Sequence, residues 1–186
     1  MMIDDVKKDV KHRMDQAVET VRTELAKLRT GKASPAILDG ITVSYYGANT
    51  PLRQVGNISA PEPRLLVVQP WDRSLLGEIE KAILKSDLGL NPANDGIVIR
   101  VPIPTLTEER RQSLVKVAKK ITEDGRVAVR NIRRDANEKL KKLEKDHKIS
   151  EDDLHRNQDE MQKLTDEYVK KLDEILALKE KEIMEI

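Results

Sequence analysis

Apolar residues recur at steps of three and four over 3–28: Ile3, Val6, Val10, Met14, Ala17, Val21, Leu25 and Leu28. That period lays one apolar stripe along an otherwise polar helix. Gly31 supplies its stop. The same spacing returns at Leu114, Val117, Ile121, Gly125, Ala128, Ile132, Ala136, Leu140 and Leu143. Thr107 can cap this second helix, and Glu108 and Glu109 suit the positive end of its dipole. It runs to about residue 147, roughly 60 Å at 1.5 Å per residue, and needs partners along that length. Lys148-Ile149-Ser150 predicts a break, because Ser150 followed by Glu151, Asp152 and Asp153 has the form of a capping box. A third stripe follows: Leu154, Met161, Leu164, Tyr168, Leu172, Ile175 and Leu178, ending near Ile183. The short turn makes the last two helices antiparallel neighbours. The first helix covers the apolar surface they leave.

Between these flanks the period changes. Residues 41–46 alternate and are rich in β-formers, and Gly47-Ala48-Asn49 is a turn. Residues 50–59 are expected to return as one strand. Leu65-Leu66-Val67-Val68 has the pattern of a buried strand ended by Pro70. Asp72 or Ser74 can start a helix carrying Leu75, Leu76, Ile79, Ile83 and Leu84, closed by Gly89. Residues 97–101 form a last strand, stopped by Pro102 and Pro104, which lack the amide donor. Trp71 is expected to anchor the helix to the sheet. Tyr45 and Tyr46 point to opposite faces, so at most one is buried.

Composition sharpens this division. All eight prolines lie between Pro35 and Pro104, and seven of the eight glycines between Gly31 and Gly96. The reading is therefore α+β: an elongated three-helix bundle, 1–30 and 105–186, interrupted by a small β/α/β sheet domain, 31–104. Two strands join the parts, with hinges near 29–31 and 102–106. Arg29, Thr30 and Gly31 form one; Pro102, Pro104 and Thr105 form the other. Gly31 gives dihedral freedom and the prolines stiffen.

Several chemistries are excluded. With no cysteine there are no disulfides, thiolate nucleophiles or sulfur-bound metals. No apolar run approaches the roughly 20 residues of a membrane helix. The mixed-charge start is unlike a secretory signal, so a cytoplasmic location is expected. His12, His147 and His155 form no metal-binding pattern. Gly31-Lys32-Ala33-Ser34 resembles the end of a phosphate loop, but Ala26 stands where that loop needs glycine and a helix precedes it. Neither catalysis nor a cofactor is expected.

Charge leaves one positive lead. The net is +1, yet residues 110–148 carry 14 Lys/Arg against six Asp/Glu, a net of +8. Residues 149–186 carry six against twelve, a net of −6. The two segments can pair with each other, or the basic one can meet a polyanion. At about 100° per residue, Arg111, Lys119, Arg126, Arg130 and Arg133 share an arc of about 100°, while Val117, Ile121 and Ala128 fall about 140–180° from Arg126. The expectation is a solvent-facing stripe opposite the core. Mostly arginine and without interleaved aromatics, it suits RNA phosphates and shape rather than bases.

Longer motifs then become recognisable. They are Leu28-Arg29-Thr30-Gly31-Lys32-Ala33-Ser34-Pro35, Pro61-Glu62-Pro63-Arg64-Leu65-Leu66 and Gln69-Pro70-Trp71-Asp72. Arg100-Val101-Pro102-Ile103-Pro104, Leu106-Thr107-Glu108-Glu109-Arg110-Arg111 and Val129-Arg130-Asn131-Ile132-Arg133-Arg134-Asp135-Ala136-Asn137 follow in order. Together they resemble the bacterial ribosome recycling factor family over essentially the whole chain. The resemblance implies an L-shaped, monomeric, non-enzymatic protein that binds the large ribosomal subunit and its 23S rRNA after termination. With elongation factor G, which binds and hydrolyses GTP, such a factor splits the ribosome and releases mRNA and tRNA. It implies rRNA contacts at Arg111, Arg130 and Arg133, with Arg133 foremost; Lys119 and Arg126 come from helical geometry alone. The small domain is implied to meet elongation factor G. The competing reading is a coiled-coil-like protein-binding or chaperone module.

Overall fold

A computed structural model describes residues 2–28 and 30–185. Its helices are α1 (Ile3–Ala26), α2 (Leu52–Val55), α3 (Leu76–Lys85), α4 (Glu108–Lys145) and α5 (Glu151–Met184). Its strands are β1 (Thr42–Tyr45), β2 (Ala48–Pro51), β3 (Gly56–Glu62), β4 (Leu65–Pro70), β5 (Ala93–Asn94) and β6 (Ile99–Pro102). The chain divides into two compact units. One contains the chain up to Thr30 and from Glu108 onward; the other is Gly31–Thr107. Residues 105–107 belong to the inserted unit. There Arg64 Nη1 donates to Thr105 Oγ1 at 2.7 Å, and Leu106 lies where a Cβ on Gly31 would be 3.0 Å from its Cγ. Gly31 also holds φ +77°, a backbone that side-chain-bearing residues adopt at a cost. Arg29, named above in one hinge, lies outside the described residues.

The bundle unit packs α1, α4 and α5 along their lengths. Val6, Val10, Met14, Val18, Val21 and Leu25 are buried on α1. On α4 the seam is Leu114, Ala118, Thr122, Gly125, Val129, Ile132, Ala136, Leu140 and Leu143. On α5 it is Asn157, Met161, Thr165, Tyr168, Leu172, Leu176 and Ile183. This departs from hydropathy alone. Val117 is 44% exposed and Leu178 is exposed, while Thr122 and Thr165 are buried. Each threonine hydroxyl donates to the carbonyl four residues back, at 2.9 and 2.7 Å, so burial leaves no orphan donor. Small residues take the α4 seam because the helices approach closely. A Cβ on Gly125 would lie 2.4 Å from Val21 Cγ2 and 3.5 Å from Leu172 Cδ1.

The α4–α5 turn is built by its ends. His147 takes φ +55°, its N–H donates to Glu144, and the N–H of Lys148 donates to Leu143. These two bonds close α4 as a Schellman motif. Ser150 Oγ accepts from Asp153 N at 3.0 Å and Asp153 Oδ2 from Ser150 N at 3.4 Å, the capping box read from the pattern. The hydrogen bonds from Ser150 hold the Asp153 carboxyl below its ordinary range.

The inserted unit contains an antiparallel four-stranded sheet, order β3-β4-β6-β5, and a separate β1–β2 hairpin. Its aliphatic core includes Leu38, Val43, Leu66, Val68, Ile79, Ile83, Ile99 and Val101. Residues 50–59 are not one strand. Pairing ends at Pro51, and α2 makes a single turn before β3 begins. Leu52 and Val55, three apart, are both buried, a spacing that one helical turn satisfies and a strand does not. Residues 97–98 are withheld from β6 because Asp95 Oδ1 accepts both their amides, at 2.9 and 2.8 Å. α3 stops at Lys85 rather than Gly89, where Ser86 Oγ donates to the Ile83 carbonyl at 2.6 Å. Pro61 sits on edge strand β3, at its register irregularity. Tyr45 packs against the core while Tyr46 is exposed. Trp71 does not anchor the helix: it is 73% exposed, and Leu75 and Leu76 are the buried residues at that junction.

Candidate RNA-binding face of the long helix

The five cations named from the pattern lie on α4, but not opposite its core. Measured from Arg126 at about 100° per residue, the buried seam spans roughly −40° to −120°. Arg111, at about −60°, falls inside it and is only 8% exposed. Its Nε is buried without a hydrogen-bond partner among the described residues. Arg126 and Arg133 border the seam, and Lys119 and Arg130 lie farther out. The expected solvent-facing stripe is thus rotated by about 80°, because Ala118, Thr122 and Gly125 define the seam and Val117 and Ile121 do not.

Helix α5 answers the bordering cations. Arg126 Nε donates to Asp173 Oδ1 at 2.9 Å, and its Nη1 to Glu123 Oε2 at 3.0 Å. Its side chain is 18% exposed. Burial opposes the charge, but the hydrogen bonds Arg126 donates to Asp173 and Glu123 outweigh it and raise the guanidinium pKa above its ordinary value. Lys119 Nζ stands 3.9 Å from Glu180 Oε1. Arg133 Nη1 donates to Gln162 Oε1 at 2.6 Å, and Gln162 Nε2 donates to Asp166 Oδ1. Lys119, Arg126 and Arg133 are seven apart, so the same edge of α4 returns to α5 at each step. Pairing between the basic and acidic segments is therefore real at Lys119 and Arg126.

Positive charge survives where the pairing is weak. Arg133 meets a neutral amide rather than a carboxylate. Arg130 Nη1 shares Glu123 with Arg126, at 3.2 Å from Oε1. One carboxylate thus serves two guanidinium groups, and their hydrogen bonds, Arg126 first, hold Glu123 below its ordinary pKa. Arg134 is exposed, and its side chain has no hydrogen-bond or ion-pair partner among the described residues. The pattern of apolar positions missed Arg134; position helps to find it, since about 80° from Arg126 is the outward side once the seam is located. The face that remains is Arg133, Arg130 and Arg134 on a continuous helix, with forks able to grip phosphate oxygens.

Elsewhere the described residues offer little chemistry. No group of three or more His, Asp or Glu among them is placed to hold a metal ion. No helix among them is long and apolar enough to cross a membrane. Near the junctions, Thr30 Oγ1 donates to Glu182 Oε1 at 3.3 Å, Pro102 closes β6 opposite Leu65, and Ile103 N donates to Arg64 O at 2.8 Å. Pro104 and Thr105 are exposed.

Comparison with known proteins gives a consistent answer. Residues 21–184 match the family model described as ribosome recycling factor. The ribosome-recycling factor of Carboxydothermus hydrogenoformans is 58% identical over 185 residues, covering all of both chains. That of Desulfitobacterium hafniense is 60% identical over the same length, again covering both in full. A solution structure of a ribosome recycling factor is 45% identical, covers both chains completely and superposes with a TM-score of 0.69. The T. thermophilus ribosome recycling factor, described with E. coli elongation factor G bound to the E. coli post-termination complex, is 48% identical with a TM-score of 0.62 and the same full coverage.

Proposed function

This chain belongs to the ribosome recycling factor family, and from that we propose how its residues divide the work. The protein acts on the post-termination ribosome with elongation factor G. The bundle unit docks on large-subunit 23S rRNA through α4. Arg133 carries most of that contact, with Arg130 and Arg134 beside it. Lys119 and Arg126 hold α4 to α5, and Arg111 secures the end of the bundle from inside. The observation that carries this reading is the Arg133 guanidinium, whose charge is unanswered by any carboxylate among the described residues while Arg126 and Arg130 are paired.

The chain performs no covalent chemistry in this scheme. Elongation factor G binds and hydrolyses GTP, and this protein, a cytoplasmic monomer, transmits the resulting force. A helix of 38 residues resists bending when two others pack along it. The inserted unit receives the partner and turns about its connections at Thr30-Gly31 and 102–106. Clamping both connections with an engineered cross-link leaves large-subunit binding intact and slows subunit splitting; splitting at the original rate refutes the rotation.

Co-sedimentation with large subunits across a salt series tests the docking. Arg133→Ala weakens binding and reduces the salt dependence by about one counterion, with helix content unchanged. Unchanged affinity and slope would overturn the assignment of Arg133.

A further inference from the structure

The only tryptophan of the chain stays outside the core of its own unit. Trp71 N donates to the Val55 carbonyl at 3.1 Å, which fixes the backbone, and the indole faces water. It borders a shallow depression lined also by Asn57, Gln69, Pro70, Arg73 and Ile97. Ile97 is itself exposed. An indole and an isoleucine left in water beside each other forgo the free energy that burial would gain.

The lining has a definite chemical character. It offers a flat aromatic surface, two carboxamides that each donate and accept, and one guanidinium. No carboxylate lines it. The side chain of Arg73 has no hydrogen-bond or ion-pair partner among the described residues. The one acid next in sequence, Asp72, is turned into the cap of the following helix, where Oδ1 accepts from Ser74 N at 2.9 Å and from Ser74 Oγ at 2.7 Å. Those bonds hold its carboxyl below the ordinary range.

We propose that this depression binds one unpaired RNA base. The base stacks on Trp71, its edge meets Asn57 or Gln69, and the adjoining phosphate meets Arg73. Stacking is tolerant of base identity and the carboxamides add modest preference. The unpaired cation and the acid-free lining favour an anionic heteroaromatic ligand over a peptide. The site is separate in sequence from the arginine face on α4 and does not depend on it.

Because Trp71 is the sole tryptophan, intrinsic fluorescence reports this site alone. The full chain is titrated at low salt with an unstructured oligoribonucleotide, an RNA duplex and inorganic polyphosphate. The expected result is saturable quenching by the single strand, at least about tenfold weaker for the duplex and absent with polyphosphate. Arg73→Gln raises the midpoint several-fold and leaves the quenched level at saturation unchanged. Arg133→Ala leaves the quenching in place, which separates this site from the docking face. No quenching, equal quenching by duplex or polyphosphate, or an unchanged midpoint in Arg73→Gln overturns the proposal. Protection of Trp71 only on adding a protein partner would overturn it in favour of a protein interface.

Discussion

The two units solve opposite problems with the same alphabet. The bundle buries its one aromatic, Tyr168, and brings α1 close to α4 over Gly125. The inserted unit buries aliphatic side chains and leaves Trp71 and Tyr46 outside. In the bundle, charge is ordered along the helices and answered both within a helix, as at Arg126–Glu123, and across to a neighbour, as at Lys7–Glu160 and Arg126–Asp173. In the inserted unit, ionic contacts include Arg100 with Asp95 and Arg53 with Asp39. A surface meant for phosphates needs cations held on a stiff support and left partly unanswered. A unit that moves or receives a partner needs its own closed core. The contrast is between a bundle whose long helices carry ordered charge and an inserted unit whose aliphatic core leaves its tryptophan outside.

If the cores are separate, they fail separately. Leu172→Ala and Ile79→Ala each remove a fully buried side chain and are expected to cost about 2–5 kcal/mol. Hydrogen exchange read by segment should show the first loosening α1, α4 and α5, and the second only β4, β6 and α3. Loosening of both units by either change would contradict the division.

The next effect belongs to the bundle alone. Burial, and then its hydrogen bond to the Asp15 carboxylate, push the Tyr168 phenol up to about 12. An unfolded tyrosine titrates near 10. The raised value means the stabilisation is complete below about pH 10 and is lost as pH climbs through about 12, a loss on the order of 2 kcal/mol. Tyr168→Phe should abolish this alkaline slope in bundle stability, at a cost of about 1 kcal/mol near neutrality. A slope that persists in the variant would assign it to another group.

The smallest expected effect probes the shared carboxylate. Glu123→Gln leaves Arg126 its Asp173 partner but frees Arg130. Large-subunit affinity should rise a few-fold and its salt dependence steepen. Weaker binding would mean that Glu123 orients Arg130 for phosphate rather than competing with it.

Much of this architecture is legible in the sequence. Long apolar stripes, the Ser150 capping box and the clustering of proline and glycine place three helices around an insertion, because each rests on local backbone chemistry. The seam of α4 departs from the apolar stripe for a physical reason. Close helix packing selects Ala118 and Thr122, which the apolar stripe left out, beside Gly125, which it included, and exposes Val117. That departure turns the basic stripe by about 80° and puts Arg111 inside rather than on the surface. The charge of the two segments leaves their pairing open without saying which residues meet: Asp173 lies 47 residues beyond Arg126, and only the fold brings them together. The single turn at 52–55 is hidden because two apolar residues are too few to mark a helical period, and only the end of pairing at Pro51 sets them apart from the strands on either side.

The central claim is that docking depends on cations the fold leaves unanswered, not on the count of arginines. Salt-dependent binding to large subunits should therefore separate Arg133→Ala from Arg126→Ala. The account predicts that Arg133→Ala lowers affinity and reduces the salt slope by about one, while Arg126→Ala weakens the bundle and keeps the slope. Equal loss of slope in the two variants would contradict it.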